Sequence, residues 1–179
     1  MSTQYRAKHL DSQVSGEFLL CFIYGSGLFS KVLLEALASH GIINVRLGKW
    51  YPQQPFLDTM RAIQKTIGAV ILRQVGLNIG ANISTPPNVQ DISTLLAALA
   101  KVYTLHHKHD PQHVQVAVQT ENSAQVTFNS PYPPNLEYGI LTGLLERFSA
   151  ESQNVTISSE ELPGAAIKNS HTVQYHVEW

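Results

Sequence analysis

Four histidines, His106, His107, His109 and His113, stand within eight residues near the middle of the chain. Imidazole is a common ligand of zinc and iron, so a metal site is one hypothesis for this cluster. The spacing matches no closed zinc site, and neighbouring side chains on a helix point about 100° apart. The sequence therefore predicts no metal centre. If a metal were bound, its candidate ligands would be His106, His109 and His113. Because His106 continues the apolar stripe of a helix, we expect it to pack inward with one ring nitrogen hydrogen-bonded.

Other motifs that could carry chemistry are incomplete. The segment 25–31 resembles a phosphate-binding loop, but it lacks the four-residue spacer and the Gly-Lys-Ser/Thr ending, so it predicts the start of a helix. The chain contains no Gly-x-Ser-x-Gly sequence of the kind that carries a hydrolase nucleophile. Cys21 is the only cysteine, which excludes an intrachain disulfide and a cysteine metal cage. We expect the protein not to be an enzyme.

The segment from Phe128 to Gly143 is the most informative. Three prolines restrict the connection that leads into a predicted helix, and Gly139 and Gly143 then stand four residues apart on that helix. Each glycine lowers helix propensity by about 1 kcal/mol relative to alanine. Small residues at this spacing allow a second backbone, an aromatic ring or a ligand to approach closely. The two glycines therefore either relieve helix packing or form the floor of a ligand cavity.

Composition limits the class of protein. Charged residues make up 14% of the chain, hydrophobic residues make up 44%, and the net charge is −1. A nucleic-acid-binding protein normally has a basic excess, and a disordered chain is less apolar than this. The apolar run 18–24 has seven residues, too few for the roughly 20 that cross a bilayer. We expect a cytoplasmic protein with no membrane span.

The first 110 residues are predicted to be mainly helical. Apolar residues recur with helical spacing in four segments, which are 28–37, 56–67, 71–79 and 92–106, with breaks at Gly41, at Gly68 and at the two prolines 86 and 87. The short apolar run 17–24 is bounded by glycines and is interpreted as a buried strand. The segment 42–51 is predicted to be an irregular or extended link.

The second half alternates apolar and polar residues and predicts strands around 114–118, 124–128, 155–157 and 172–179. The residues Thr120–Ser123 are predicted to form a hairpin turn, and Asn135 is predicted to cap the helix that runs to Phe148. Strict alternation is typical of an antiparallel sheet with one buried face. We predict an α+β fold in which helices cover one face of a sheet of about four strands. We expect one domain over 1–179, with 1–16 as a poorly ordered N-terminal arm.

A family resemblance rests on three stretches: 48–52 (Gly-Lys-Trp-Tyr-Pro), 130–140 with Ser-Pro-Tyr-Pro and then Gly139-Ile140, and the closing 175–179 (Tyr-His-Val-Glu-Trp). In their order, they resemble the ligand-binding fold shared by haem nitric-oxide sensors, four-vinyl-reductase-like domains and Golgi-transport tethering subunits. Within that fold, the chain is most similar to a group of small bacterial and archaeal proteins.

The chain also departs from the sequence motifs of these families at several positions. The haem sensors hold the haem propionates with a Tyr-x-Ser-x-Arg motif, and the corresponding residues here are Phe128, Ser130 and Tyr132, so only the serine matches. The candidate for their proximal histidine is His106, although the matching position is nearer Leu99. The cysteine cluster of the four-vinyl-reductase-like domains has no counterpart near the C-terminus, and Cys21 does not stand where the tethering subunits carry their acylated cysteine. The resemblance therefore does not identify a cofactor for this chain.

The resemblance implies a small-molecule sensor that holds an apolar ligand between helices and sheet without catalysis. Pockets of this kind are mostly apolar and carry a few polar groups. The predicted ligand-binding residues are Trp50, Tyr51, Tyr103, His106, Tyr132, Gly139 and Gly143. One alternative is a ligand-free, dimeric interaction module, and another is a haem or metal sensor that uses His106. We also expect a homodimer through helical faces, because Leu33, Leu37 and Leu96 add more apolar surface than one sheet face needs.

Overall fold

A computed structural model describes residues 5–110, 114–151, 153–161 and 171–179. Within these residues, five α-helices follow in chain order: α1 (Gly16–Gly25), α2 (Ser30–Ser39), α3 (Gln53–Asn82), α4 (Ile92–His106) and α5 (Pro134–Phe148). A short 3-10 turn, Gly27–Phe29, joins α1 to α2. The strands are β1 (Gln13–Ser15), β2 (Trp50–Pro52), β3 (His107–Lys108), β4 (Val114–Thr120), β5 (Ser123–Ser130), β6 (Thr156–Glu161) and β7 (His171–Glu178). The predicted α+β class is confirmed.

The larger sheet has the strand order β4-β5-β7-β6, and all of its pairs are antiparallel. Its buried face carries the alternate residues that the sequence pattern predicted, namely Ala124, Val126 and Phe128 on β5 and Val173, Tyr175 and Val177 on β7. The predicted hairpin is present, but Thr120 pairs with Ser123, so the turn itself consists of two residues. The C-terminal strand β7 lies between β5 and β6, where it is paired on both edges.

A second, smaller sheet with the order β2-β1-β3 was not predicted. Its strands have two or three residues each, which is too short for an alternating pattern to stand out. Val14 is fully buried and lies opposite both Tyr51 and His107. This sheet matters for the site because β3 begins at His107 and pairs that residue with Val14 of β1.

The interpretation of residues 17–24 as a strand was wrong, because they form α1. Ser15 caps this helix, and its side chain accepts a hydrogen bond from the backbone of Phe18 at 3.1 Å. The buried residues Phe18, Leu19, Phe22 and Ile23 share one helical face. A short, continuous apolar run carries no period that separates a strand from a helix, so the pattern could not decide.

Helix α3 is bent at Gly68, which has φ 80° and ψ 169° inside an otherwise helical segment. The sequence placed a helix break here, and the structure confirms it. This backbone conformation is essentially restricted to glycine. The bend divides α3 into a first half, 53–67, and a second half, 69–82, and the second half packs against α5.

Three apolar residues that the sequence assigned to a dimer interface instead belong to the core of the single chain. Leu33, Leu37 and Leu96 are buried within the chain. That placement removes the reason given for a homodimer, and the oligomeric state stays a prediction. Residues of the expected N-terminal arm also pack inward, since Tyr5 and Val14 are buried. Residues 1–4 lie outside the described residues.

Two further predictions concern the N-cap of α5 and the absence of a membrane-spanning helix. The N-cap of α5 is Pro133 rather than Asn135, because Pro134 occupies the first helical turn, where a missing N–H group costs nothing. Among the described residues, no single helix is both long and apolar enough to cross a membrane; α1 and α2 together reach the length only as a pair bent by 112°.

Candidate functional site

A cavity of about 50 Å³ lies where α1, the second half of α3, α4 and α5 meet strands β4 and β5. An apolar cavity of about 150 Å³ is large enough to hold benzene, so this one holds only a few non-hydrogen atoms as it stands. Its walls are almost entirely apolar or aromatic. The lining residues are Phe18, Ile79, Ile83, Leu99, Val102, Tyr103, His106, His107, Val114, Phe128, Tyr132, Glu137, Ile140 and Leu144.

Helix α4 brings His106 to this cavity. A capping box at Asp91 and Thr94 fixes the start of the helix, and the predicted apolar stripe faces inward along its length. His106 Nε2 lies 3.0 Å from the carbonyl oxygen of Ser84, and its Nδ1 lies 3.1 Å from Ser15 Oγ. A carbonyl can only accept, so Nε2 carries the proton and Nδ1 accepts from the serine. Both ring nitrogens are therefore engaged, whereas the sequence predicted one. Burial lowers the pKa of His106, which favours this neutral form.

His107 also faces inward, which the sequence did not predict. The helix ends at His106, and His107 has the extended φ and ψ of −133° and 133°. This change of backbone turns its ring inward. Nδ1 lies 3.0 Å from the carbonyl oxygen of Tyr103, and Nε2 accepts from the hydroxyl of Tyr132 at 2.7 Å. Its ring stacks on that of Tyr103, with centroids 4.0 Å apart.

A chain of hydrogen bonds continues from Tyr132 towards the surface. Gln53 is fully buried, and its Nε2 donates to the Tyr132 hydroxyl at 3.2 Å and to Asp110 Oδ2 at 2.8 Å. The same carboxylate oxygen accepts from the hydroxyl of Tyr103 at 2.7 Å. Burial raises the pKa of both tyrosines well above the ordinary value, so their hydroxyls stay protonated. The predicted residues Tyr103 and Tyr132 are thus held rigidly at the wall of the cavity.

Glu137 is the acidic member of the cavity wall, and the sequence gave no sign of it. It lies in the first turn of α5 and is only 2% exposed. The hydroxyl of Ser130 donates to its Oε1, and the backbone N–H of Tyr132 donates to the Ser130 oxygen at 3.1 Å. Oε2 of Glu137 has no hydrogen-bond partner among the described residues. Burial raises the pKa of this carboxyl to about 8, and the Ser130 hydrogen bond lowers it in part, so the neutral acid predominates at pH 7.

Trp50 and Tyr51 lie away from the cavity, which corrects their assignment to its lining. Both belong to β2 of the smaller sheet. The Tyr51 hydroxyl donates to the carbonyl oxygen of Asn44 at 3.0 Å and accepts from the backbone of Arg46 at 2.9 Å, so it fastens the preceding loop. The ammonium of Lys108 lies 4.1 Å from the centre of the Trp50 ring. These contacts give both residues a structural role.

Gly139 and Gly143 face α3, and this placement corrects the expectation that they line the cavity. A Cβ at Gly139 would overlap the carbonyl oxygen of Arg73, and one at Gly143 would overlap that of Leu77. Gly76 and Gly80 of α3 meet α5 in the same manner. Gly76 is opposite Gly139 and Gly80 is opposite Gly143, so the two helices run parallel with their backbones in contact. The sequence left two interpretations of these glycines open, helix packing and a cavity floor, and the structure supports helix packing.

The histidine cluster does not converge on one point. His109 is exposed, and its Nδ1 lies 3.6 Å from Asp11 Oδ2. His113 lies outside the described residues, so its place is not assigned. In the part of the chain that the structure describes, no three histidine, cysteine or acidic side chains are arranged to hold a metal ion.

Comparison with known proteins gives the fold. No family model and no curated protein matches the chain. Solved structures of H-NOX proteins do match: one from S. oneidensis in the Fe(II)NO ligation state (TM-score 0.66, 14% identity, 92% of this chain and 98% of that one) and an oxygen-binding H-NOX domain related to soluble guanylate cyclases (TM-score 0.63, 13% identity, 92% and 94%). A doubly substituted Tt H-NOX matches with a TM-score of 0.65, 13% identity and coverage of 92% and 94%. The chain therefore has the fold of the H-NOX domains.

The residues present do not fit haem. The cavity of about 50 Å³ is far below the roughly 300–1,000 Å³ of pockets for larger organic ligands. The rings of Phe18, His107 and Tyr132 pack against one another in this space, with centroids 5.3–5.8 Å apart. The ring nitrogens of His106 and His107 are all engaged. Ser130, the one residue that matches the propionate-binding motif, bonds the acidic Glu137, which disfavours a second carboxylate there.

Proposed function

We propose that this chain is a non-catalytic sensor domain that uses the H-NOX fold without haem and binds a small, mostly apolar molecule in the cavity between α4, α5 and the sheet. The observation that carries the proposal is the cavity itself, whose inner surface is apolar and whose lining residues include Tyr103, Tyr132 and Glu137. Binding sites for small molecules typically combine apolar walls with a few polar groups.

The rigidity of the surrounding wall also supports this proposal. Tyr103, Tyr132 and His107 are fixed by hydrogen bonds and ring contacts, so a ligand meets a preformed surface. Preorganised sites lose less conformational entropy on binding. Ile140 lines the cavity and is only half-buried, so its movement is the simplest way to admit a ligand larger than the present space.

The proposal is tested on protein purified from cells supplied with a haem precursor. We expect no Soret band in its absorbance spectrum. We also expect mass spectrometry of an organic extract to find a bound small molecule. Val102→Phe fills the cavity and should reduce the amount recovered, because Val102 is one of its lining residues.

The matched control is Leu96→Phe, which enlarges a buried residue of the same helix that is not among the lining residues. This variant should retain the extracted molecule. A stoichiometric Soret band would contradict the haem-free part of the proposal. Equal recovery from wild type and Val102→Phe would contradict the location of the site.

A further inference from the structure

Strand β4 forms one edge of the larger sheet, and we infer that this edge pairs with β4 of a second copy of the chain. Within the described residues β4 pairs only with β5, so its other side presents unpaired backbone N–H and C=O groups. Such an edge is a template for a further strand. The inference depends on the surface of β4 and is independent of the cavity and of the ligand proposed for it.

The side chains of β4 also leave apolar surface uncovered. Val116 and Val118 lie opposite Val126 and Ala124 of β5, respectively. Directly opposite residues of an antiparallel pair point to the same face, so all four belong to the buried face of the sheet. Val126 and Ala124 are fully buried, whereas Val118 is 70% exposed. The apolar face of the sheet therefore continues onto β4 beyond the surface that the rest of the chain covers.

Strand β4 lacks the features that usually prevent an edge strand from pairing with another chain. Charged residues and proline are the common ones, and the seven residues of β4, Val-Gln-Val-Ala-Val-Gln-Thr, include neither. Its pairing with β5 is regular from Val114 to Val118, and the irregularity that follows lies next to the hairpin turn. The opposite edge strand, β6, differs in sequence, since two of its six residues are glutamate. The edge open to pairing is thus the one at β4.

The sequence of β4 fits a second copy of itself. The middle residue of the seven is Ala117. A two-fold axis at this residue pairs the two strands antiparallel, with Val116 of each copy opposite Val118 of the other and Gln115 opposite Gln119. Valine then meets valine on the inner face, glutamine meets glutamine on the outer face, and no charges meet. A two-fold contact is closed, so the product is a dimer in which two four-stranded sheets become one.

The mass of the full chain in solution tests this inference. Sedimentation equilibrium is measured over a concentration series from about 5 μM to about 500 μM, because a contact through one strand is at the weak end of specific interfaces. We expect the mean mass to rise with concentration from 19.8 kDa towards twice that value. Amide hydrogen exchange in the segment 115–119 should slow over the same range, since these backbone groups become paired.

Two double variants test the register on the outer face. Gln115→Lys with Gln119→Lys places lysine opposite lysine across the axis, so the dissociation constant should rise about tenfold or more. Gln115→Glu with Gln119→Lys is the matched control, because it places glutamate opposite lysine and should dimerise at least as well as wild type. Both positions are exposed in the single chain, so both variants should melt close to the wild-type temperature.

Three outcomes would overturn the inference. A wild-type mass that stays at 19.8 kDa over the whole series would show that the edge does not pair. A dimer that persists unchanged when both glutamines are lysine would place the contact on another surface. A dimer lost equally in both double variants would contradict the two-fold register at Ala117. Loss in the lysine pair alone is the result that supports pairing through β4.

Discussion

Helix α5 meets the rest of the molecule on two faces that are packed in different ways. On one face, Gly139 and Gly143 bring its backbone into contact with the second half of α3, and no space is left for even one methyl group. On the other face, Glu137, Ile140 and Leu144 border the cavity. The same 15-residue helix therefore forms both the tightest helix contact and one wall of the candidate site.

The contrast shows how this fold supports a cavity. A void lowers stability, since its lining loses van der Waals contacts. The parallel contact of α3 and α5 provides a rigid support beside it, and α5 can then leave its opposite face underpacked. The first half of α3, on the other side of Gly68, also stabilises the cavity wall. It begins at Gln53, whose side chain donates a hydrogen bond to the Tyr132 hydroxyl.

The largest expected effect concerns the cavity face and depends on pH. The folded state raises the pKa of Glu137 from its ordinary 4.5 to about 8, so between these values the folded state holds a proton that the unfolded state has lost. Stability from this group is complete below pH 4.5 and is lost as the pH rises to about 8, by at most about 5 kcal/mol.

Urea unfolding of wild type and Glu137→Gln over pH 4–9 checks this sign. The variant should match wild type near pH 4.5 and become progressively more stable than wild type towards pH 8. Taking the difference between the two proteins removes the contribution of other titrating groups. A difference that stays constant over the whole range would show that Glu137 is not buried as described.

On the packed face, Gly143→Ala should destabilise the protein by about 3 kcal/mol. The added methyl overlaps the carbonyl oxygen of Leu77, so the helices must separate, and the gain of about 1 kcal/mol in helix propensity does not offset this. For a chain of this size, the melting temperature should fall by about 6–12 °C. Glu146→Ala, at an exposed position of the same helix, is the control and should change stability by less than about 0.5 kcal/mol. An unchanged melting temperature in Gly143→Ala would contradict the close contact.

The bend in α3 gives the next prediction. Gly68→Ala should cost about 1–2 kcal/mol, because the backbone there has a positive φ of 80° that a side chain disfavours. A methyl at this position would meet open space, so the loss comes from backbone strain alone. Chemical denaturation measures it, with Ala69→Ser as a neighbouring control. A loss as large as that of Gly143→Ala would mean that Gly68 is also packed.

The smallest effect is expected for filling the cavity. Val102→Phe should change stability by less than about 1 kcal/mol, because the added ring atoms enter existing space. Leu96→Phe adds atoms to a packed part of the same helix and should cost about 1–3 kcal/mol. Thermal melting of the two variants compares them directly. If both lose the same stability, the cavity offers no space to a larger side chain.

Much of the fold could be predicted from the sequence. Alternation specified β5 and β7, helical stripes specified α2, α4 and α5, and Gly68 marked the bend in α3. Three stretches of sequence also indicated the fold that the H-NOX structures share. These features succeed because they depend on local geometry and on the period with which apolar residues recur.

The site was predicted only in part. Tyr103, His106 and Tyr132 were predicted because each carries a local signal, as a large residue on an apolar stripe or beside prolines. His107, Gln53 and Glu137 were missed for the opposite reason. Each is a polar residue in a local pattern that predicts exposure, and each is buried by partners far along the chain, as with the 79 residues that separate Gln53 from Tyr132.

The sequence by itself therefore determined most of the longer elements, their order and the antiparallel type of the larger sheet, since these follow from the periods of apolar residues and from helix and turn signals. The tertiary structure decided that residues 17–24 form a helix, that Gly139 and Gly143 meet α3, and that Glu137 stands at a cavity. Each of these outcomes depends on which surface, from a segment far away in the sequence, packs against the residues concerned. A residue type and its immediate neighbours do not specify that surface, because burial and hydrogen bonding are set by the packing of the whole chain.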